Sequence, residues 1–181
     1  MGMKISFELT DRDLNFFRDA LQQSREAVRD AEESEIIEAI KDVLAEILKN
    51  QPLPDFVGKR IPELESLISM LTDDEWLLPE GDRERLLATF VYFADPEDIL
   101  PDDIPVIGYL DDVIMIELVA RELHHVRVAY EDFCRFREEY DSGKGQGVDP
   151  LIRRDRIDRR RQQLHQRMQR RSAQQKKSKL W

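Results

Sequence analysis

The densest set of chemically capable side chains lies between residues 95 and 112, where Asp95, Asp98, Asp102, Asp103, Asp111 and Asp112 are interleaved with Pro96, Pro101, Pro105 and Gly108. Carboxylates and carbonyls are the hard oxygen ligands that Mg2+ or Ca2+ takes, and a metal held there could support hydrolysis. The same residues have a simpler use. Asp95 before Pro96 suits a helix cap followed by the first helical position, where a missing N–H costs nothing. Asp98 then falls beside the free amides of that first turn, and Pro101 stops the helix after about one turn. Asp102 and Asp103 open a second turn that Pro105 restrains, and Asp111 and Asp112 fall in the first turn of the helix after Gly108, where the dipole favours negative charge. Capping thus accounts for most of these carboxylates. They are assigned a structural role, with a metal-dependent hydrolase as the alternative, and no metal or cofactor is expected.

Other reactive types are present without the partners their chemistry needs. Glu122 and His125 form one Glu-x-x-His pair, but a carboxylate-bridged di-iron bundle takes two such pairs. His124 and His125 point about 100° apart on a helix and cannot bind one metal side by side. Glu35 and Glu38 resemble half of the acidic set of an all-helical nucleotide pyrophosphatase, without the other half; solvated helix charges explain them better. Cys134, among Phe133 and Phe136 with Arg135 and Arg137 nearby, has no base at helical reach and reads as a packing residue. Phosphate-loop, dinucleotide-binding, zinc-finger and nucleophile-elbow spacings are all missing. No catalytic residue is assigned.

The elements that would carry these groups are helical. Thr10 can cap a first helix, with Asp13 three residues on, and Leu14, Phe17, Leu21 and Val28 recur at helical spacing to about Asp30. Ile36, Ile37, Ile40, Val43, Leu44, Ile47 and Leu48 mark a second helix that ends before Pro52 and Pro54. A third carries Phe56, Val57, Ile61, Leu64, Leu67, Ile68 and Leu71, with a kink or restart predicted at Pro62. Thr72–Pro79 is a connection anchored by Trp76, and Leu86, Leu87, Phe90, Val91 and Phe93 mark a fourth helix. After Gly108 the run from Tyr109 to Leu123 is apolar on more than one face, as in the middle of a bundle. One long last helix of the body, Gly108 to Tyr140, is expected. Its second half places Leu123, Val126, Tyr130, Phe133 and Tyr140 at heptad-like steps, a seam that packs within the chain or, alternatively, forms a homodimer through Leu123, Val126, Tyr130 and Phe133.

The string Asp98, Pro101, Asp102, Ile104, Pro105, Gly108, Tyr109, Leu110, Asp111, Asp112 resembles the motif of the YkvA-like family, a short bacterial domain of unknown function that also occurs in some eukaryotic proteins. The likeness covers about a fifth of the chain, roughly Phe90 to Ala120, and Glu97 stands where the family has an apolar residue. The resemblance implies a helical domain built around this loop and no particular reaction. Some relatives are membrane-associated, which this chain would have to derive from residues of its own.

The rest follows from composition. One cysteine excludes an internal disulfide and suits a reducing compartment, no signal peptide is visible, and no apolar run of about 18 residues could span a bilayer, so a cytoplasmic location is expected. Asp141 to Pro150, with glycines at 143, 145 and 147, reads as a flexible linker. Beyond it the charge reverses. Nine arginines and three lysines stand against Asp155 and Asp158 in residues 151–181, a net of +10; the whole chain is at −10, so residues 1–150 carry −20. Ile157, Leu164 and Met168 make only a thin apolar stripe, which predicts a largely disordered or marginally helical tail. Its cations, Arg153, Arg154, Arg156, Arg159, Arg160, Arg161, Arg167, Arg170, Arg171, Lys176, Lys177 and Lys179, form an electrostatic footprint for RNA, DNA or an anionic surface, unless the tail serves solubility or folds back onto its acidic body.

The expected protein is therefore all-α: a single bundle of about five helices over residues 1–140, a linker at 141–150 and a basic tail at 151–181. Its expected role is a non-enzymatic binding or adaptor module, with the body contacting protein and the tail contacting an acidic partner.

Overall fold

The computed structural model describes residues 6, 8–28, 31–49, 54–94, 110–143 and 145–178. It is all-helical among those residues, with α1 (Asp11–Val28), α2 (Glu33–Lys49), the single turn α3 (Asp55–Gly58), α4 (Ile61–Thr72), α5 (Glu80–Ala94), α6 (Leu110–Glu122), α7 (His124–Ser142) and α8 (Pro150–Ser178). The count exceeds the expected five for identifiable reasons. Pro62 makes the chain restart, so that α3 ends at Gly58 and α4 carries the proline in its first turn. The long helix predicted from Gly108 to Tyr140 breaks at Leu123, whose backbone sits at φ −92°, ψ 10°. There the Val126 amide reaches back three residues to the Leu123 carbonyl at 2.9 Å, a tightened turn that neither proline nor glycine announces. The last helix is the third addition.

Two compact units divide the chain. The first comprises residues 1–57 and 84–115. Here Thr10 and Asp13 form the predicted cap: Asp13 Oδ2 accepts from the Thr10 amide at 2.9 Å and from its hydroxyl at 2.7 Å, while the Leu14 amide donates to the Thr10 carbonyl. These bonds hold the Asp13 carboxyl below its ordinary pKa. Phe17, Leu21, Ile36, Ile40, Leu86, Phe90 and Met115 are buried, the spacing of each helical stripe being the one its sequence displays.

The second unit comprises residues 58–83 and 116–181. Its centre is Trp76, fully buried, with ring centroids of Tyr130, Phe133 and His165 at 5.6, 5.2 and 4.6 Å. The first two rings come from α7 and the third from α8, so the Asp73–Pro79 connection is fixed by both helices. Leu77, next to the anchor, is 53 % exposed and held at φ 50°, a conformation that costs a leucine about 1–2 kcal/mol. The burial of its neighbour offsets that cost.

The expectation of a disordered or marginal tail is overturned. Pro150–Ser178 is one continuous helix, and its Ile157, Leu164 and Met168 are 2, 2 and 3 % exposed. Burying three such side chains contributes roughly 5–9 kcal/mol, which an isolated helix of this composition could not draw on. The stretch read as a flexible linker is a hydrogen-bonded reversal. The Gly145 amide donates to the Tyr140 carbonyl at 2.7 Å, and a Cβ on Gly145 would lie 2.7 Å from that same oxygen and 2.8 Å from the Tyr140 ring. Gly147 has φ 74°, and Asp149 caps α8 through its Oδ1 and the Leu151 amide at 2.7 Å, with Pro150 following as the first helical residue.

Candidate functional site

The candidate surface of the second unit is built around α8, and its residues divide into those that meet the rest of the protein and those that are exposed. Along the inner face, Arg153, Arg160 and Arg167 recur every seven residues beside Ile157, Leu164 and Met168. Arg153 meets Asp141 near the end of α7, with Nε and Nη2 each 2.7 Å from a carboxylate oxygen. Arg160 lies over the Phe136 ring at 5.5 Å, and Arg167 pairs with Asp132 at 2.5 Å. Rising numbers on α8 meet falling numbers on α7, so the two helices form an antiparallel hairpin.

The inner arginines also hold the Trp76 connection. Arg153 Nη1 pairs with Glu75 Oε1, and Arg161 Nη1 donates to the Glu75 carbonyl at 3.0 Å, while Arg161 Nη2 lies 3.0 Å from Asp158. From α7, Arg137 reaches Asp73 at 2.8 Å and Glu75 at 3.1 Å, and it packs over Phe133 at 5.2 Å. Asp73 in turn accepts from the Glu75 and Trp76 amides at 2.9 and 3.0 Å and from the Tyr130 hydroxyl at 3.1 Å. One carboxylate therefore closes the turn after α4 and receives two side chains of α7.

Electrostatics follow these contacts. Burial opposes ionisation of Asp73, yet Arg137 and the two amides hold its carboxyl below the usual range. Glu75 is lowered chiefly by Arg153 against a smaller burial penalty, Asp141 chiefly by Arg153, and Asp132 chiefly by Arg167. Arg153 and Arg137 are raised by the same pairs. Burial, followed by the neighbouring Cys134 and Asp73, pushes the Tyr130 phenol up. His165, half-buried against Trp76 with Arg161 beside it, is lowered.

The exposed side chains of α8 are different. Arg154, Arg156, Arg170 and Arg171 are exposed and have no carboxylate within reach among the described residues, while Arg159 is paired only with Asp155 one turn away, at 2.9 Å and with both side chains largely in solvent. Gln162, Gln163, Gln166 and Gln169 share this surface. Of the twelve cations predicted to face a polyanion, Arg153, Arg160, Arg161 and Arg167 are thus turned onto the protein itself. Lys179 and the side chains of Lys176 and Lys177 lie outside the described residues.

The other predicted residues are placed as follows. Leu123, Val126, Tyr130 and Phe133 are all buried within this chain, at most 8 % exposed, so the homodimer through that seam is corrected to internal packing. Asp95, Asp98, Pro101, Asp102, Pro105 and Gly108 lie outside the described residues. Asp111 and Asp112 sit in the first turn of α6, Asp111 buried and Asp112 part-exposed. Among the described residues no group of three or more His, Cys, Asp or Glu is arranged to hold a metal ion. Cys134 is a free, part-buried thiol that accepts from Arg137 Nη2 at 3.8 Å. Asp73, Glu75, Asp132, Asp141 and Arg137 organise the hairpin, and the sequence reading gives none of them that role. Their partners lie up to 78 residues away, and nothing local marks them.

Among the described residues no helix is long and apolar enough to cross a membrane. No curated protein and no solved structure matches the chain. Residues 85–118 match a family described as a protein of unknown function (DUF1232), an uncharacterised family with which the YkvA-like resemblance of Phe90 to Ala120 is consistent.

Proposed function

We propose that this protein is a non-enzymatic binding module that engages an acidic partner through the outer face of α8. The observation carrying this reading is the division of one helix's cations. The inner set meets Asp132, Asp141 and the Glu75 connection, whereas Arg154, Arg156, Arg170 and Arg171 are held exposed on a fixed scaffold with no carboxylate within reach among the described residues. A solubilising tail has no need of a docked helix with a preferred face. A rigid array of guanidinium groups, each a planar fork of donors, suits recognition of phosphate, sulfate or carboxylate.

Retention on immobilised heparin across a salt gradient tests the reading. Replacing Arg154, Arg156, Arg170 and Arg171 together by glutamine should move elution to much lower salt, whereas Arg121→Gln, an exposed arginine of α6 paired with Glu117, should leave it nearly unchanged. Equal elution of the fourfold variant and the wild type removes the proposal. The enzymatic alternative rests on the Asp95–Asp112 carboxylates. A micromolar Mg2+ site by isothermal titration that Asp111→Asn abolishes would replace the binding module with a metal-dependent hydrolase.

A further inference from the structure

We infer that the acidic partner is double-stranded DNA, entered at its major groove by the outer face of α8. The inference rests on the proposed function above and narrows it by the chemistry of that face. Arg156, Arg159, Gln163, Gln166 and Arg170 recur at alternating steps of three and four and are all exposed, so they form one straight stripe. At 1.5 Å per residue the stripe runs for about 21 Å. Its side chains are those that read a B-form major groove: arginine to guanine or phosphate, and glutamine, a donor and an acceptor at once, to adenine. Gln162 and Gln169 flank it and are placed to meet backbone phosphates. The groove is wide enough for a helix, and α8 is held along its opposite side, which leaves this face free to enter.

The same face fits other polyanions less well. A helix lying in a bilayer interface buries an apolar face, but Ile157, Leu164 and Met168 are turned inward. Between Arg154 and Arg171 every exposed residue is polar, and the exposed apolar pair Leu151 and Ile152 is confined to the first turn. Single strands are bound by stacking bases on aromatic rings, and the outer face has none; His165, the one ring of α8 in the described region, is packed on Trp76. A-form RNA has a major groove too deep and narrow for side chains to read. The Arg159–Asp155 pair is no obstacle, because an exposed ion pair exchanges readily for a phosphate.

The test uses the full chain in five forms: wild type, Arg156→Gln/Arg159→Gln/Arg170→Gln, Gln163→Ala/Gln166→Ala, Leu151→Ser/Ile152→Ser, and Arg121→Gln as a single-charge control away from α8. Circular dichroism and thermal melting establish that each is folded. Fluorescence anisotropy then measures binding to a short DNA duplex, to single-stranded RNA of the same sequence and to vesicles of phosphatidylglycerol over a salt series. Duplex DNA should bind tightest, with affinity falling by about one and a half orders of magnitude between about 50 and 200 mM salt if Arg156, Arg159 and Arg170 each neutralise a phosphate. The triple arginine variant should reduce the slope of log affinity against log salt by about 0.9 per arginine, and the glutamine variant should weaken duplex binding without altering that slope. Tighter binding to single-stranded RNA or to vesicles, with loss in the triple variant, overturns the DNA inference while the polyanion reading survives. Vesicle binding lost in Leu151→Ser/Ile152→Ser likewise overturns it in favour of a lipid surface. If no probe is bound, or the triple variant binds every probe as the wild type does, both readings fall.

Discussion

Helices α7 and α8 lie antiparallel and share one seam, yet they are stabilised on different terms. α7 presents Val126, Ala129, Tyr130 and Phe133 to the interior, a broad stripe of large groups that would be sought in any helix of a bundle. α8 offers only Ile157, Leu164 and Met168 among its arginines, and it completes the contact with Arg153, Arg160 and Arg167 laid along Asp141, Phe136 and Asp132. A highly charged segment is therefore fixed when its few apolar residues fall seven or so apart and its neighbour supplies carboxylates in the same register. Charge density by itself does not mean disorder; what matters is whether each cation on the inner face has something to meet. The cations left over are the ones available for a partner.

The contrast breaks most visibly at the apolar seam. Leu164→Ala should cost about 2–5 kcal/mol in urea unfolding, because the side chain is almost wholly enclosed between helices. Leu151→Ala on the same helix, 75 % exposed, should stay within about 0.5 kcal/mol of wild type. Equal costs for the two would mean that α8 is not docked as described. The docking also changes what truncation tests. A chain ending at Pro150 would strip His165 from Trp76 and Arg160 from Phe136, so loss of binding in it would report unfolding as much as loss of arginines.

Asp73 is the next strongest lever, and it probes how the connection before α5 is tied to α7. Its side chain is 9 % exposed and accepts from Arg137, Tyr130 and two amides. Asp73→Ala would leave those donors short of a buried acceptor and should cost about 1–3 kcal/mol, with the near-ultraviolet signal of Trp76 changed in the folded state. Glu75→Ala, whose carboxylate is more exposed, should cost less.

Acidification should weaken the second unit in two stages of opposite chemical origin and the same sign. His165 has a folded-state pKa below its ordinary 6.5, so below that pH the unfolded chain takes up a proton that the native chain refuses, and stability falls. Asp73, Glu75, Asp132 and Asp141 are also lowered, from ordinary values of 3.8 to 4.5. Their contribution is present above those values and is lost as pH falls through the native ones. Unfolding followed from pH 7.5 to 3 should show both stages, and His165→Gln should remove only the upper one.

Much of this was legible in the sequence. The all-helical class, the Thr10 cap, the restart at Pro62 and the Trp76 anchor follow from local spacing and are present in the structure. Even the seam was visible in halves: heptad steps in Val126 to Phe133, and the stripe Ile157, Leu164, Met168. What sequence could not state is that the halves belong together. Asp149-Pro150 carries the same cap signal that was read at Asp95-Pro96, but the glycines before it suggested a flexible link. Only the structure reveals that Gly145 is there because a side chain would collide with Tyr140. The inner and outer arginines are identical in type and alternate along the chain, so their separation awaited the register of α8 on α7.

The finest test of that register is a single ion pair. Arg167 Nη2 and Asp132 Oδ2 are 2.5 Å apart, with side chains 39 % and 24 % exposed. So much solvent access screens the charges, and fixing two side chains costs entropy, so the short distance does not imply a large energy. A double-mutant cycle with Arg167→Ala and Asp132→Ala should give a coupling of about 0.2–1 kcal/mol, shrinking as salt is raised. Arg135 also approaches Asp132, at 3.5 Å, and would recover part of the interaction when Arg167 is removed, which pulls the coupling toward the lower end. Repeating the cycle with Arg135 already replaced by alanine should therefore enlarge it. Arg170→Ala in place of Arg167→Ala should show no coupling to Asp132, since Arg170 lies on the outer face. Coupling of Asp132 to Arg170 rather than Arg167 would mean that α8 is rotated about its axis, and the division of its arginines into inner and outer sets would have to be redrawn.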